Sequence, residues 1–326
     1  MDKLYRENFQ RLPRNEREVI LKDLANTKPG FTFKCFERFE RFGQITDTAV
    51  YEFENSEFVF VPGDTVTLGW DSFEVGMDDT TREDIMETLE EYGIYNIEEF
   101  LKENMSPVRT IKIGPMLVER KLNDIGWIMV DSESSEVSEN YRVKEAIEEI
   151  KSGQCKEYTF HEQLRLRKNN DEITAEEYES ISYDEFVDSI LESGFRLPTE
   201  DEWEYLCGGG VRTLFRWGDS FDYDMHLYHF EEATTNSIEY DLEKSNQFGI
   251  SIGFDPYKQE VVMDSKQFLK GGDGGCNICG GSGLALGYLP VATYYQDKNI
   301  YDEMLDYISD IGGDYNFYRR IIRLWD

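Results

Sequence analysis

The chain has 326 residues, a formal net charge of −33 and an aromatic content of 14%, which suits one large domain or two ordinary ones with a real hydrophobic core. The acidic residues are spread along the chain and form no tail, which argues against nucleic acid and anionic membrane surfaces as partners but permits a basic partner or a divalent cation. The N-terminus lacks the apolar segment of a signal peptide, and no apolar run approaches the roughly 20 residues of a membrane helix. The five cysteines are an odd number, which does not suit a set of disulfides. We therefore expect a reduced, cytoplasmic, bacterial protein.

Helices are predicted where apolar residues recur three or four positions apart. They span residues 4–27, 80–93, 96–105, 143–153 and 182–194. Ser182 is placed to cap the last of these helices, and Gly194 is placed to end it.

Strands are predicted in runs that are rich in β-branched and aromatic residues. They span residues 48–63, 65–70 and 109–121. The first run forms a hairpin that turns at Glu54-Asn55-Ser56, and the last is either a strand pair or one bent strand. Residues 168–180 are acidic and polar, and we expect a surface loop there.

Domain boundaries are not marked by any sharp change in composition, and no internal repeat is visible. Residues 1–45 are interpreted as an N-terminal helical and extended appendage. Residues 46–326 are interpreted as the body of the protein. After residue 206 the sequence predicts mostly loops, glycine turns and short strands.

Residues 195–210, with the sequence FRLPTEDEWEYLCGGG, predict a capped helix. Thr199 is an N-cap residue and Glu202 follows three positions later, which is the spacing of a capping box. Acidic residues fill the first turn, where the helix dipole favours negative charge, and three glycines end the helix. We therefore expect Thr199 to cap the helix and Trp203 to be buried; the alternative is a catalytic role for Glu202 or Glu204.

This motif, followed by FRWGDS at residues 215–220, closely resembles the R-L-P-T-E-x-E-W-E-Y…W-G-D signature of the formylglycine-generating enzyme family, also called sulfatase-modifying factor proteins. Weaker likenesses follow the family's order at residues 57–71, 108–127, 246–250, 268–276 and 316–324. The resemblance covers residues 55–326 and implies an α+β fold, a variant of the C-type lectin fold with irregular loops around a small twisted antiparallel sheet and a few helices. The family includes copper-dependent oxidases, iron-dependent sulfoxide synthases and non-catalytic binding proteins.

The resemblance places the chemistry of the oxidase branch at residues 271–279, GGDGGCNIC. The family pattern is G-G-S-x-x-C-x4-C, and its two cysteines bind copper(I). Here Cys276 falls at the first cysteine position, Cys279 follows after two residues instead of four, and Asp273 replaces the serine. Because soft thiolates select copper(I), Cys276 and Cys279 are the candidate catalytic and metal-binding residues. A redox-active dithiol and ordinary thiols in a glycine-rich loop are the alternatives.

The C-x2-C spacing also suits one half of a zinc site. His226 and His229, in the segment HLYH, could supply the other half, although H-x2-H is shorter than the usual zinc-finger spacing. Cys155 and Cys207 are the remaining soft ligands. The iron-dependent branch is set aside, because it uses N-terminal histidines and this chain has none before His161.

The family's calcium segment, G-N-x-W-E-W, is altered here. Glu260 stands where the family has its glutamate, but the asparagine and both tryptophans are replaced. Asp255 and Asp264 could add oxygen ligands to a calcium site, which needs six to eight of them. A solvated acidic loop is the alternative.

Three functions are compatible with these motifs. The first is a divergent, non-catalytic sulfatase-modifying-factor-like module that binds a protein or peptide, because the copper and calcium motifs are damaged. The second is a copper-dependent, thiolate-metal oxidase that acts on a peptidyl cysteine through Cys276 and Cys279. The third is a structural zinc protein. We expect no cofactor as the leading case, with copper, zinc and calcium as alternatives, and no nucleic-acid or membrane partner.

Overall fold

The computed structural model describes residues 2–130, 140–161, 163–169, 172–230, 239–264, 268–296 and 308–324. The chain combines α-helices with several small antiparallel sheets, which confirms the predicted mixture of α and β structure. It forms two compact units. The first unit consists of Met1–Asn123, Ser189–Tyr301 and Phe317–Asp326, and the second consists of Asp124–Asp188 and Asp302–Asn316.

The described residues form short and medium helices and mostly short strands. The helices are α1 (Arg6–Arg11), α2 (Arg14–Ala25), α3 (Asp79–Glu91), α4 (Ile97–Glu103), α5 (Tyr141–Ser152), α6 (Tyr183–Glu192), α7 (Glu200–Gly208), α8 (Cys276–Cys279) and α9 (Leu284–Gly287). The strands are β1 (Phe31–Arg41), β2 (Gln44–Phe53), β3 (Ser56–Val61), β4 (Asp64–Leu68), β5 (Arg109–Ile113), β6 (Met116–Glu119), β7 (Asn123–Asp124), β8 (Trp127–Val130), β9 (Glu157–Phe160), β10 (Leu164–Asn169), β11 (Glu172–Tyr178), β12 (Gln259–Val261), β13 (Leu269–Lys270), β14 (Asn316–Tyr318) and β15 (Ile321–Arg323). Within the described ranges, none of the helices is long and apolar enough to cross a membrane.

The predicted helices are confirmed, with small shifts of their ends. Residues 4–27 contain two helices, because Pro13 lacks an N–H group and fits only the start of α2. Ser182 caps α6 as predicted, since its Oγ accepts the N–H of Glu185 at 3.4 Å. Gly194 follows α6 with φ +84°, a left-handed conformation that glycine adopts without strain.

The first unit is built on a five-stranded antiparallel sheet in the order β1-β2-β3-β6-β15. β1 pairs with β2 along its length, from Phe31 opposite Phe53 to Arg41 opposite Gln44. The predicted boundary at residue 45 does not coincide with a boundary between the two units. Residues 1–45 belong to the first unit, because β1 is an edge strand of its main sheet.

The predicted hairpin of residues 48–63 is confirmed. β2 and β3 meet at Glu54, which has φ +52°, and Val50 lies opposite Val59 in the ladder. Both valines are buried in the core of the first unit. The segment 109–121 is a strand pair, because β5 joins β4 while β6 joins β3 and β15.

The second unit is built on a four-stranded antiparallel sheet in the order β8-β11-β10-β9. Its core forms where α5 packs Val143, Ala146 and Ile150 against Leu164 and Leu166 of β10. These apolar positions recur three and four residues apart on the helix and two apart on the strand, so each element presents one apolar face.

The predicted surface loop at residues 168–180 is wrong. Most of this segment is strand, since β10 ends at Asn169 and β11 runs from Glu172 to Tyr178. Its charged side chains pair across the sheet, where Arg165 binds Glu176 at 2.7 Å. Opposite charges on facing strands stabilise a sheet that composition alone would assign to solvent.

The chain after α7 has the predicted character of loops and short elements. β12 and β13 are antiparallel, with Glu260 opposite Lys270, and the helices α8 and α9 contain four residues each. These short elements carry the candidate functional residues.

Candidate functional site

The predicted capping box is present at the start of α7. Thr199 Oγ1 accepts the N–H of Glu202 at 3.3 Å, and a carboxylate oxygen of Glu202 accepts the N–H of Thr199 at 2.9 Å. Trp203 is fully buried in the core of the first unit, as predicted. Gly209 ends the helix with φ +63°, in the left-handed conformation that favours glycine.

The carboxylates of α7 are neutralised by cations from distant parts of the chain. Glu204 is fully buried and lies 3.0 Å from Arg109 and 3.1 Å from Lys270, and Glu202 lies 2.6 Å from Arg323. Burial alone would lower the pKa of Lys270, but the neighbouring carboxylates outweigh it and the pKa is raised. Each of these carboxylates has a structural partner among the described residues.

The segment after β13 is fixed against α7 by close backbone packing. Gly271 has φ +88°, and a Cβ at this position would lie 2.9 Å from the ring of Trp203. Lys270, the preceding residue, binds Glu204 on the same helix. α7 therefore anchors the segment that leads to the two candidate cysteines, which explains why only glycine fits at residue 271.

The candidate site centres on α8, which we call the thiol turn (Cys276–Cys279). Both cysteines are exposed, and their spacing of three residues places them on one side of a helical turn. The buried carboxylate of Asp273 holds this turn, because its two oxygens accept the N–H groups of Gly275 at 2.8 Å and Asn277 at 3.1 Å. Asp273 thus has a structural role in this turn.

Tyr257 contacts the thiol turn directly. Its hydroxyl oxygen lies 3.1 Å from Sγ of Cys279. Its ring covers Gly275, which has φ +81° and where a Cβ would clash with the ring. The absence of a side chain at residue 275 is therefore what brings the phenol to the thiol.

His229 lies behind Tyr257. Its Nε2 is 3.0 Å from Oδ1 of Asp255, and its ring centroid is 4.5 Å from that of Tyr257. The same Asp255 oxygen accepts the backbone N–H of Tyr257 at 2.9 Å. A carboxylate, an imidazole, a phenol and the Cys279 thiol thus follow one another in contact.

The predicted zinc ligands do not converge. His226 stacks on Tyr240, with ring centroids 4.7 Å apart, whereas His229 faces Asp255. Within the described parts of the chain, no three His, Cys, Asp or Glu side chains form a group that could hold a metal ion. A four-ligand zinc site at Cys276 and Cys279 does not fit these residues, although two thiolates alone are a suitable donor set for copper(I).

The other two soft-ligand candidates have packing contacts of their own. Cys207 is buried in α7 with its Sγ 3.8 Å from Nη1 of Arg216, and burial raises the pKa of its thiol. Cys155 belongs to the second unit, where it packs against that unit's core. A buried neutral thiol is a poor nucleophile and a poor metal ligand, so we assign Cys207 a packing role.

The candidate calcium ligands have other partners. Both carboxylate oxygens of Glu260 accept hydrogen bonds from Arg319, at 2.7 Å and 2.9 Å, and both side chains are buried. Asp255 binds His229, and Asp264 is half-buried. Calcium needs six to eight oxygen ligands, so a carboxylate with both oxygens on a buried guanidinium does not fit such a site.

A cavity of about 230 Å³, which we call the acidic cavity, adjoins the loop that follows the thiol turn. It is lined by Asp84, Glu87, Thr88, Glu91, Tyr92, Gly280, Gly281 and Gly283. The α3 residues are three and four positions apart, which places them on one face of the helix. Asp84 joins α3 to α9, because its carboxylate accepts the N–H of Ala285 at 2.8 Å, and it also accepts the hydroxyl of Tyr223 at 2.7 Å.

Sequence reasoning identified both thiols but missed the residues around them. Tyr257 carries no local signal of its contact with Cys279, since the two are 22 residues apart. The acidic face of α3 could have been found from its helical spacing. Its position beside residues 280–283 is a tertiary contact that no local pattern encodes.

The chain matches no protein-family model, and it matches no curated protein sequence. The family resemblance therefore rests on the motif residues of the sequence alone.

Proposed function

We propose that this chain is a divergent sulfatase-modifying-factor-like protein that binds a basic segment of a protein or peptide at the acidic cavity. The observation that carries the proposal is the alignment of Asp84, Glu87 and Glu91 on one face of α3 against the glycines of residues 280–283. Carboxylates attract lysine and arginine side chains. The ring of Tyr92, which is 74% exposed, adds a surface for a cation–π contact.

The net charge of the whole chain also favours a basic partner. A formal net charge of −33 attracts basic partners and increases their rate of association. The glycines of the loop leave the cavity wall without side chains, so the backbone of a bound segment can come close. A binding site of this kind weakens as salt screens its charges.

The family resemblance supports the same proposal. A capped helix at Thr199 and a buried Trp203 are what the resemblance implies, and small antiparallel sheets with short elements agree with a variant of the C-type lectin fold. The departures from the family pattern fall at the spacing of Cys279 and at the residues around Glu260, in the segments where the family has its metal ligands. They favour a binding role over catalysis.

Fluorescence anisotropy with a labelled lysine- and arginine-rich peptide tests the binding function. Glu87→Gln together with Glu91→Gln removes two charges from the cavity, and we expect about tenfold weaker binding. Glu98→Gln together with Glu103→Gln is the matched control, because both residues are exposed on α4 and neither lines the cavity. The control should bind as the unchanged chain does.

Two results would count against the binding function. One is equal weakening by both pairs of substitutions, which would show attraction to the net charge alone. The other is equal affinity for the basic peptide and for an acidic peptide of the same length.

A second candidate function is a thiolate-metal oxidase, and it rests on the thiol turn itself. Cys276 and Cys279 offer two exposed thiols on one turn, a donor set that fits two-coordinate copper(I). Copper(I) bound there would supply the reaction of a peptidyl thiol with dioxygen. The chain's own residues hold the site, since Asp273 orders the turn and Tyr257 contacts the thiol of Cys279.

Metal analysis of protein purified without chelator separates the two candidates. The oxidase requires about one copper per chain, lost in both Cys276→Ser and Cys279→Ser and retained in Cys155→Ser, a cysteine of the second unit. Absence of copper after reconstitution under reducing conditions would contradict the oxidase. It would leave the peptide-binding function standing.

A further inference from the structure

Three arginines of the first unit converge on one buried carboxylate. Asp47 of β2 lies 2.8 Å from Arg14, 3.1 Å from Arg17 and 3.0 Å from Arg38. The hydrogen bond from Arg38, with the charges of all three guanidinium groups, holds the pKa of Asp47 below its usual range. The group therefore carries three positive charges and one negative charge at neutral pH, in a chain whose formal net charge is −33.

Two of these arginines lie at the beginning of α2. Arg14 and Arg17 occupy its first turn, and Pro13 before it provides no side-chain cap. The N-terminal end of a helix favours negative charge, because the N–H groups there point outward. Asp47 is the negative charge that lies beside these two first-turn arginines.

A cavity of about 220 Å³, which we call the arginine cavity, lies beside this cluster. It is lined by Phe9, Gln10, Arg17, Ile45, Thr46, Asp47 and Pro62. Arg17 is largely buried, and its Nε has no hydrogen-bond partner in the part of the chain that the structure describes. A buried donor without an acceptor is costly, so a ligand oxygen that accepts from it would be stabilised.

We propose that the arginine cavity binds a small organic anion, whose carboxylate or phosphate group contacts Arg17 and whose short apolar body packs on Phe9, Ile45 and Pro62. A planar guanidinium donates paired hydrogen bonds to such oxyanions. Gln10 and Thr46 add polar groups to the same cavity.

The carboxylate of Asp47 also lines the cavity. Its negative charge is shared among three guanidinium groups, which leaves an excess of positive charge around it. The apolar side of the cavity is formed by other residues, and Ile45 is 44% exposed at its edge. A ligand with one anionic end and one apolar end matches this division.

The arginine cavity shares no lining residue with the acidic cavity or the thiol turn. A negative result at the arginine cavity would therefore not contradict peptide binding at the acidic cavity. Substitutions at Arg17 or Ile45 leave the residues of the proposed peptide site in place.

Calorimetric titration of the full chain with four probes tests the inference. Phenyl phosphate and benzoate carry an oxyanion on an apolar ring, benzyl alcohol lacks the charge, and inorganic phosphate lacks the ring. We expect saturable binding of phenyl phosphate or benzoate, and roughly tenfold weaker binding of the other two probes. The stronger of the two aromatic anions identifies the head group.

Two substitutions distinguish this site from general attraction to the arginines. Arg17→Lys keeps the charge but removes the Nε donor, and we expect roughly tenfold weaker binding. Ile45→Glu places a carboxylate at the edge of the cavity and should weaken binding similarly. Ile45→Gln is the control matched in size, and Arg11→Lys is the control on the exposed face of α1. Arg11→Lys should bind as the unchanged chain does. Ile45→Gln removes an apolar contact without adding a charge, so it should weaken binding less than Ile45→Glu does.

The inference is overturned if no probe binds saturably, or if benzyl alcohol binds as tightly as benzoate. It is also overturned if the controls and the two test substitutions have equal effects. Should Arg17→Lys lower the melting temperature, the comparison of Ile45→Glu with Ile45→Gln still decides, because this residue is partly exposed.

Discussion

Helix α7 and the thiol turn both carry side chains that could take part in chemistry, but their surroundings are opposite. The acidic residues Glu202 and Glu204 of α7 are buried, and each binds a cation. Cys276 and Cys279 are exposed, and the carboxylate that orders their turn belongs to Asp273. The fold holds the α7 carboxylates in buried ion pairs, whereas it leaves the two thiols accessible to solvent.

The contrast shows that a recognisable sequence motif and a pair of exposed reactive side chains need not coincide. The motif of α7 is recognisable because capping, burial and ion pairing constrain almost every residue in it. The thiol turn is held by Asp273, Gly275 and Tyr257, among other contacts, but its two cysteine side chains are exposed. Substitutions in the two regions should therefore have opposite effects on stability and on binding.

The largest effect is expected for Trp203→Ala. Removal of a fully buried indole should lower the free energy of unfolding by about 3–5 kcal/mol, because it leaves a cavity in the core. Urea unfolding followed by circular dichroism measures the change. Tyr92→Ala, at a 74% exposed aromatic, is the control and should change stability by less than about 0.5 kcal/mol. Similar losses for the two variants would mean that burial of Trp203 contributes no more to stability than the exposed Tyr92 does.

Lys270→Met should cost about 3 kcal/mol, because Glu204 then keeps a buried charge with one cation fewer. The raised pKa of Lys270 also has a consequence at alkaline pH. Its stabilisation is fully present below the pKa of an unfolded lysine and is lost as pH rises through the folded pKa. The unchanged chain should thus lose stability at high pH more steeply than Lys270→Met, as thermal melts across that range would show.

Thr199→Ala should lower the free energy of unfolding by about 1 kcal/mol, because the N–H of Glu202 loses its acceptor. Thr199→Ser keeps the oxygen and should restore most of the stability. Denaturant midpoints measured on both variants check this effect. Equal destabilisation by alanine and serine would mean that packing of the methyl group, and not the cap, matters.

Cys276→Ser and Cys279→Ser should have the smallest effect, less than about 0.5 kcal/mol each, because both side chains are exposed. The same two cysteines should react with a thiol reagent in the native protein, while Cys207 reacts only on unfolding. Mass spectrometry of labelled peptides distinguishes the sites. Rapid native labelling of Cys207 would contradict its burial in α7.

Local rules predict much of the fold, and α7 shows why. Its cap, its first-turn charges and its glycine end lie within ten residues of one another, so the sequence contains every group that decides the helix. Residues 168–180 show the opposite case. Their strands depend on pairs such as Arg165 with Glu176, and a charged strand looks like a loop until its partner is known.

Some features of the candidate site are local in the sequence, and others depend on long-range contacts. Cys276 and Cys279 are found from their spacing, and the acidic face of α3 is readable from residues three and four apart. The contact of Tyr257 with Cys279 and the placement of α3 beside the glycine loop are long-range. The arginine cavity is hidden for the same reason, because Arg17 and Asp47 meet only when α2 packs near β2.

The countercharges of α7 also determine when this helix can be completed. Arg109 precedes Glu204 by 95 residues, whereas Lys270 follows it by 66 and Arg323 follows Glu202 by 121. A chain made from its N-terminus therefore carries the acidic helix for a long interval before two of its cations exist. Long-range pairings of this kind slow folding. We expect the segment that is easiest to recognise in the sequence to be among the last to reach its native packing during synthesis.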